Sequence, residues 1–120
     1  MTTILIIDDV ATDRQILGRL VADAGFHPVY ASGGKEGLEL ARKLAPALIF
    51  LDVVMPDVNG FQICRDLKRD PATRKIPIVM VTTKTEESDR FWSRKQGADD
   101  HVGKPFTPEA ILDCLRRLAS

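Results

Sequence analysis

Cysteine is almost missing from this 120-residue chain: there are two, Cys64 and Cys114, far apart and at no metal-ligand spacing. That pattern excludes a disulfide framework and a thiolate metal site, and leaves two free, partly buried, inert thiols as the expectation. A surplus of either charge is missing too. Seventeen basic residues balance seventeen acidic ones, which argues against nonspecific nucleic-acid binding, since that needs a basic excess. No apolar run approaches the roughly 20 residues of a membrane span, so no membrane partner is expected. The start, Met1-Thr2-Thr3-Ile4, has no basic n-region and no cleavage signal, so the chain reads as cytoplasmic. Repeats, low-complexity tracts and linkers are absent as well. Residues 1–120 read as one domain.

What is present is enough for a core: 44% of the residues are hydrophobic. Residues 3–8 read as a strand. Thr12 offers an N-cap, with Gln15 completing a capping box, and the helix runs to about Ala24 with Ile16, Leu17, Leu20 and Val21 on its apolar face. Gly25 stops it. A strand over 27–31 and a helix over 34–44 follow, the latter with Leu38, Ala41 and Leu44 on one stripe. Residues 48–51 form a third strand and 52–60 a loop with Pro56 and Gly60. A helix over 61–69 turns Ile63, Cys64 and Leu67 inward. The remainder reads as a strand over 77–82, a polar helix over 87–96 and a strand over 99–103. Last comes a helix capped by Thr107, with Pro108 at its first position and Ile111, Leu112, Leu115 and Leu118 on its apolar side. Strands alternating with helices imply a parallel sheet covered on both faces. The expected architecture is a three-layer α/β sandwich.

The informative residues stand where the strands stop. Ile4–Ile7 ends on Asp8-Asp9, Leu48–Leu51 on Asp52, Ile78–Val81 on Thr82-Thr83, and the segment after Asp99 on Lys104-Pro105. Ligands of open parallel sheets bind at the carboxyl ends of the strands. A single Asp there is usually a turn residue or a helix cap, and Asp13, Asp57 and Asp70 are read so. Four strand ends carrying compatible parts are different, because independent turn residues would not choose a matching set. Two carboxylates about 4 Å apart repel by on the order of 4 kcal/mol at an effective dielectric near 20, so the cluster needs a cation. Oxygen-only ligands favour Mg²⁺. Lys104 would pair with an arriving phosphoryl group as a point charge, Thr82 would donate a hydroxyl hydrogen bond, and Asp52 could act as a nucleophile.

Asp8-Asp9, Asp52 with Met55-Pro56 and Gly60, Thr82, Gly97-Ala98-Asp99-Asp100 and Lys104-Pro105-Phe106 together resemble the CheY-like receiver domains of two-component response regulators, across essentially the whole chain. The resemblance, not the spacing, implies the flavodoxin-like strand order 2-1-3-4-5. It also implies that Asp52 accepts a phosphoryl group from a histidine kinase. Asp9 and Asp52 would bind Mg²⁺ directly, with the Val54 carbonyl as a further ligand and Asp8 acting mostly through water. Thr82 and Lys104 would contact the phosphoryl oxygens. The aromatic switch position falls on His101, a departure from the usual Tyr or Phe, and output would use the face formed by the fourth helix, fifth strand and last helix. The stretch Val81-Thr82-Thr83-Lys84, with Asp89, Trp92 and Lys95-Gln96-Gly97-Ala98, looks like PilH-type single-domain regulators of twitching motility, which implies a CheA-like kinase.

The leading expectation is therefore a phospho-switch with no substrate beyond the phosphoryl group, acting alone or as a fragment of a longer regulator. A phosphohydrolase of the haloacid-dehalogenase kind would place a second Asp two residues after the nucleophile. Here that residue is Val54, which cannot move a proton. A receiver-shaped interaction module working without phosphorylation is the remaining alternative, and the complete acid, Thr and Lys set argues against it.

Overall fold

A computed structural model describes residues 2–119. Five strands alternate with five helices: β1 (Thr3–Ile7), α1 (Ala11–Asp23), β2 (His27–Ala31), α2 (Gly34–Leu44), β3 (Leu48–Leu51), α3 (Gly60–Arg69), β4 (Ile78–Thr82), α4 (Glu87–Lys95), β5 (Asp100–Gly103) and α5 (Pro108–Leu118). The strands pair in parallel in the order β2-β1-β3-β4-β5, as the resemblance implies.

Strand periodicity divides the core in two. Leu5, Ile7, Ile49, Leu51, Ile78 and Met80 pack toward α2 and α3. The alternate residues Ile4, Ile6, Leu48, Phe50, Val79 and Val81 pack toward α1 and α5. Burial on both faces is why β1, β3 and β4 read as continuous apolar runs rather than alternating ones. Ile63, Cys64 and Leu67 of α3 are buried as expected. Among the described residues, no helix is long and apolar enough to cross a membrane.

The helix ends depart from the sequence reading in instructive ways. Thr12 is not the N-cap of α1. The Asp8 carboxylate accepts from Val10 N at 2.9 Å, which closes the chain early and makes extended Val10 the cap. Thr12 therefore lies inside the first turn, and so does Asp13. Ile16 is 55% exposed, and the buried arc of α1 is Leu17, Gly18 and Val21. Gly18 is what turns the helix this way: a Cβ there would meet the Tyr30 hydroxyl at 1.9 Å, so β2 presses Tyr30 onto that residue. Leu44 is likewise exposed, because α2 ends there and Ala45 turns left-handed at φ 45°. Asn59 caps α3, accepting from Phe61 N at 2.8 Å, so the helix starts at Gly60. Gly25 and Gly97, at φ 94° and 99°, end α1 and α4 where a side chain would be strained. Thr107 caps α5 through Ala110 N at 3.2 Å, as expected.

Candidate functional site

Backbone hydrogen bonds tie the strand ends into one rim. Asp8 N donates to Ala31 O at 3.0 Å, Asp52 N to Ile7 O at 3.0 Å, and Lys104 N to Thr82 O at 2.9 Å. The residue after each strand is thus held by the neighbouring strand, and its side chain is delivered to a fixed point. Gly60 fits this rim for a steric reason. A Cβ there would meet the Asp52 carbonyl oxygen at 2.1 Å, so α3 can start flush against the Asp52 backbone only without a side chain.

Asp8, Asp9 and Asp52 each offer a carboxylate oxygen within 4.8 Å of the others. Asp8 and Asp52 are buried and Asp9 is exposed. The Lys104 ammonium lies among the acids, 2.7 Å from Asp8 Oδ2, 2.8 Å from Asp13 Oδ2 and 3.1 Å from Asp52 Oδ2. The other oxygens of the two buried acids are held by the backbone: Val10 N donates to Asp8 Oδ1, and Val54 N donates to Asp52 Oδ1 at 3.1 Å. Burial raises the Asp8 pKa, and this outweighs the lowering by the hydrogen bonds from Lys104 and Val10. For Lys104 the balance is reversed. Burial alone would lower its pKa, but hydrogen bonds to Asp13 and Asp8 and the charges of Asp52 and Asp8 raise it overall. The two shifts have different origins, since one ammonium has three anionic partners and Asp8 has one cation beside a second carboxylate.

This donor set fits a small hard cation. It is made of oxygens only, three carboxylates converge within 4.8 Å, and one of them faces water, which suits an ion that keeps part of its hydration shell.

Thr82 is fully buried at the end of β4. Its Oγ1 accepts from Lys84 N at 3.3 Å, which leaves the hydroxyl proton free to donate. The Lys84 carbonyl is held in turn by His101 Nε2 at 2.7 Å, and His101 Nδ1 meets Ser93 Oγ at 2.7 Å. A carbonyl can only accept, so Nε2 carries the proton and Nδ1 accepts from the Ser93 hydroxyl. Burial lowers the His101 pKa, with the Arg90 charge adding to it and the Lys84 bond opposing it. A continuous hydrogen-bonded chain therefore runs from Thr82 through the Lys84 backbone and His101 to α4.

The sequence-based site residues thus fall into two connected groups: Asp8, Asp9, Asp52 and Lys104 in the pocket, and Thr82 and His101 in the chain leading away. Val54 follows on the loop after β3, half exposed, in an open cleft that Lys84 also lines. Two members escaped the sequence reading. Asp13, read there as a turn or cap residue, is the third partner of Lys104, because the early start of α1 turns its first-turn acid onto the pocket. Ser93 is the one buried residue of α4, and a lone Ser in a polar helix carries no signal. Asp57 and Asp70 behave as expected. Asp57 accepts from Gly34 N at the start of α2, and Asp70 accepts from Ala72 N in a turn. Both thiols are buried, and burial pushes Cys64 up to about 12 and Cys114 up to about 11.

The family model of the response regulator receiver domain matches residues 4–116. The protein PilH of Pseudomonas aeruginosa is 40% identical over 115 residues, covering 96% of this chain and 95% of that protein. The probable transcriptional regulator ycf27 of Porphyra purpurea is 39% identical over 113 residues, which cover 94% of this chain and 45% of the regulator. The chain therefore spans nearly the whole of one relative and about half the length of the other. Among solved structures, the chemotaxis protein CheY4 of Vibrio cholerae superposes with a TM-score of 0.91 at 32% identity, covering 98% of each chain. A putative response regulator from Chloroflexus aurantiacus superposes with a TM-score of 0.93 at 29% identity, covering 98% of this chain and 97% of the other.

Proposed function

The chain belongs to the response regulator receiver domain family, and from that premise we propose that Asp52 is its phosphoacceptor and residues 1–120 one receiver domain. The observation that carries the assignment is the position of Asp52: buried, with one oxygen on Lys104 and the other on a backbone N–H. A carboxylate so fixed cannot turn away from the pocket, and its remaining lone pairs stay available to an electrophile. Asp52 attacks the phosphorus of a kinase phosphohistidine. The O–P bond forms as the P–N bond breaks, the imidazole leaves with a proton from solvent, and an acyl phosphate remains. Asp9 and Asp52, with the Val54 carbonyl, would hold Mg²⁺, and Asp8 would act through water. When bound, the ion neutralises the charge that the phosphoryl group brings. Lys104 pairs with the same oxygens, and Thr82 donates its free hydroxyl proton to them.

The response then passes along the hydrogen-bonded chain. Once Thr82 turns to the phosphoryl group, its bond from Lys84 N is lost, the Lys84 carbonyl is free to shift, and His101, held between that carbonyl and Ser93, shifts with it. The affected surface is α4, β5 and α5, which we assign as the docking face for a downstream protein. The 40% identity to PilH and the likeness to a chemotaxis protein support a CheA-like kinase and a role in type IV pilus, chemotaxis-like signalling.

Acetyl phosphate with Mg²⁺ tests the assignment by intact mass. One phosphoryl adduct is expected, lost on Asp52→Asn and on adding EDTA. An adduct that persists in the variant would overturn it.

A further inference from the structure

An ammonium has three N–H bonds, and Lys104 has spent all three on carboxylates, those of Asp8, Asp13 and Asp52. A phosphoryl group on Asp52 brings new acceptors to a cation with no free donor. Lys104 can reach them only by sharing or surrendering a bond it already makes. The three partners are not equally able to let go. The Asp8 side chain is 5% exposed and that of Asp52 7%, so either would be left charged and poorly solvated, which is costly. The Asp13 side chain is 31% exposed. Water can take over from Lys104 there at little cost. Asp13 also brings a fourth negative charge to the place a phosphoryl dianion must enter.

Resting on the phosphoacceptor reading, we propose that Asp13 is a positioning residue that competes with the phosphoryl group for Lys104. With Asp13 present, the ammonium is drawn toward the first turn of α1, and the phosphorylated state must release it. Without Asp13, one N–H and one unit of positive charge become available to the phosphoryl oxygens. The same loss has the opposite effect on a bare cation. The pocket becomes less negative, and Lys104 settles more closely on Asp52, a direct ligand in the reading above, and on Asp8, which would act through water.

Asp13→Ala and Asp13→Asn should therefore move two affinities apart. Beryllofluoride, titrated at saturating Mg²⁺ and followed by fluorine NMR, should bind roughly threefold to tenfold more tightly than to the parent. Mg²⁺ alone, titrated by calorimetry, should bind roughly threefold more weakly. Asn, which keeps an acceptor for Lys104 but not the charge, should fall between Ala and the parent. A residue that merely braces Lys104 would weaken both ligands when removed, so a fall in both, or no change in beryllofluoride affinity, overturns the proposal. A parent chain that binds Mg²⁺ but never beryllofluoride would overturn the phosphoacceptor reading itself, and this inference with it.

Discussion

Helices α4 and α5 flank the same edge strand, β5, and are held to the molecule by different physics. Helix α5 inserts Ile111, Cys114 and Leu115 into the core beside Leu17, Val21 and Phe50. Ile111 and Leu115 each contribute about 1.5–3 kcal/mol by leaving water, whatever their exact orientation. Helix α4 buries Ser93 alone. Its Phe91 and Trp92 stay near the surface. Both are 49% exposed, packed edge-to-face on each other at 5.7 Å. What holds α4 is a set of directional bonds: Ser93 to His101, Arg90 to the His101 carbonyl at 3.1 Å, and Arg65 to Gln96 at 2.7 Å. Each contributes on the order of 1 kcal/mol. Apolar burial resists displacement in every direction, whereas a polar clasp can be re-tied in a second arrangement at small cost. Of the two helices, α5 is the fixed one and α4 the one that can be repositioned.

Substitution in the cores of the two helices should separate them most. Leu115→Ala is expected to lower unfolding free energy by about 2–5 kcal/mol. Trp92→Ala, half exposed, should stay within about 1 kcal/mol. Denaturant titration of the pair measures both, and comparable losses would mean that α4 shares the core after all. Ser93→Ala comes next. It leaves the buried Nδ1 of His101 without its donor, at about 1–3 kcal/mol. The loss should be local, with faster amide exchange over residues 87–95 and unchanged protection over 108–118. A uniform change across both helices would erase the distinction.

The smallest effect expected is on pH dependence. Burial keeps His101 neutral in the folded chain below the ordinary value of 6.5. As pH falls through 6.5, the unfolded chain gains a proton that the folded chain refuses, so stability declines until the folded imidazole is protonated as well. Asp8 works in the opposite sense nearer 3.8, since burial makes its folded carboxyl the better proton holder. Thermal unfolding from pH 7.5 to 5 should therefore show a decline in the parent that His101→Phe lacks. Equal slopes would place the titration elsewhere.

The contrast also marks what could be read from the sequence. The α/β order and the pocket acids were legible because they rest on local patterns: apolar runs of strand length, each ending on a chemically useful residue. The polar clasp was not. Ser93 signals nothing by itself, and His101 is marked only by the resemblance; neither points to the other until β5 brings the ring under α4. Asp13 was hidden differently, because an acid in a first helical turn already has an adequate explanation in the helix dipole, and nothing local points it at a lysine 91 positions away. The Thr12 cap and the Ile16 face failed through neighbours, Asp8 closing the turn early and Tyr30 rotating the buried arc. Local rules gave way to contacts made by other strands.

Lys104 meets its three carboxylates across sequence separations of 96, 91 and 52 residues. No hairpin or single βαβ unit contains the pocket, so it has no local precursor that could assemble early. Bringing such distant residues together requires the loop-closure entropy of nearly the whole chain to be met first. On the reading proposed for Asp52, competence to receive a phosphoryl group waits on β5 docking beside β4. A nascent, clipped or partly unfolded copy would carry Asp52 but not the ammonium that holds it. Such a copy would lack the fixed carboxylate on which the proposed phosphotransfer depends.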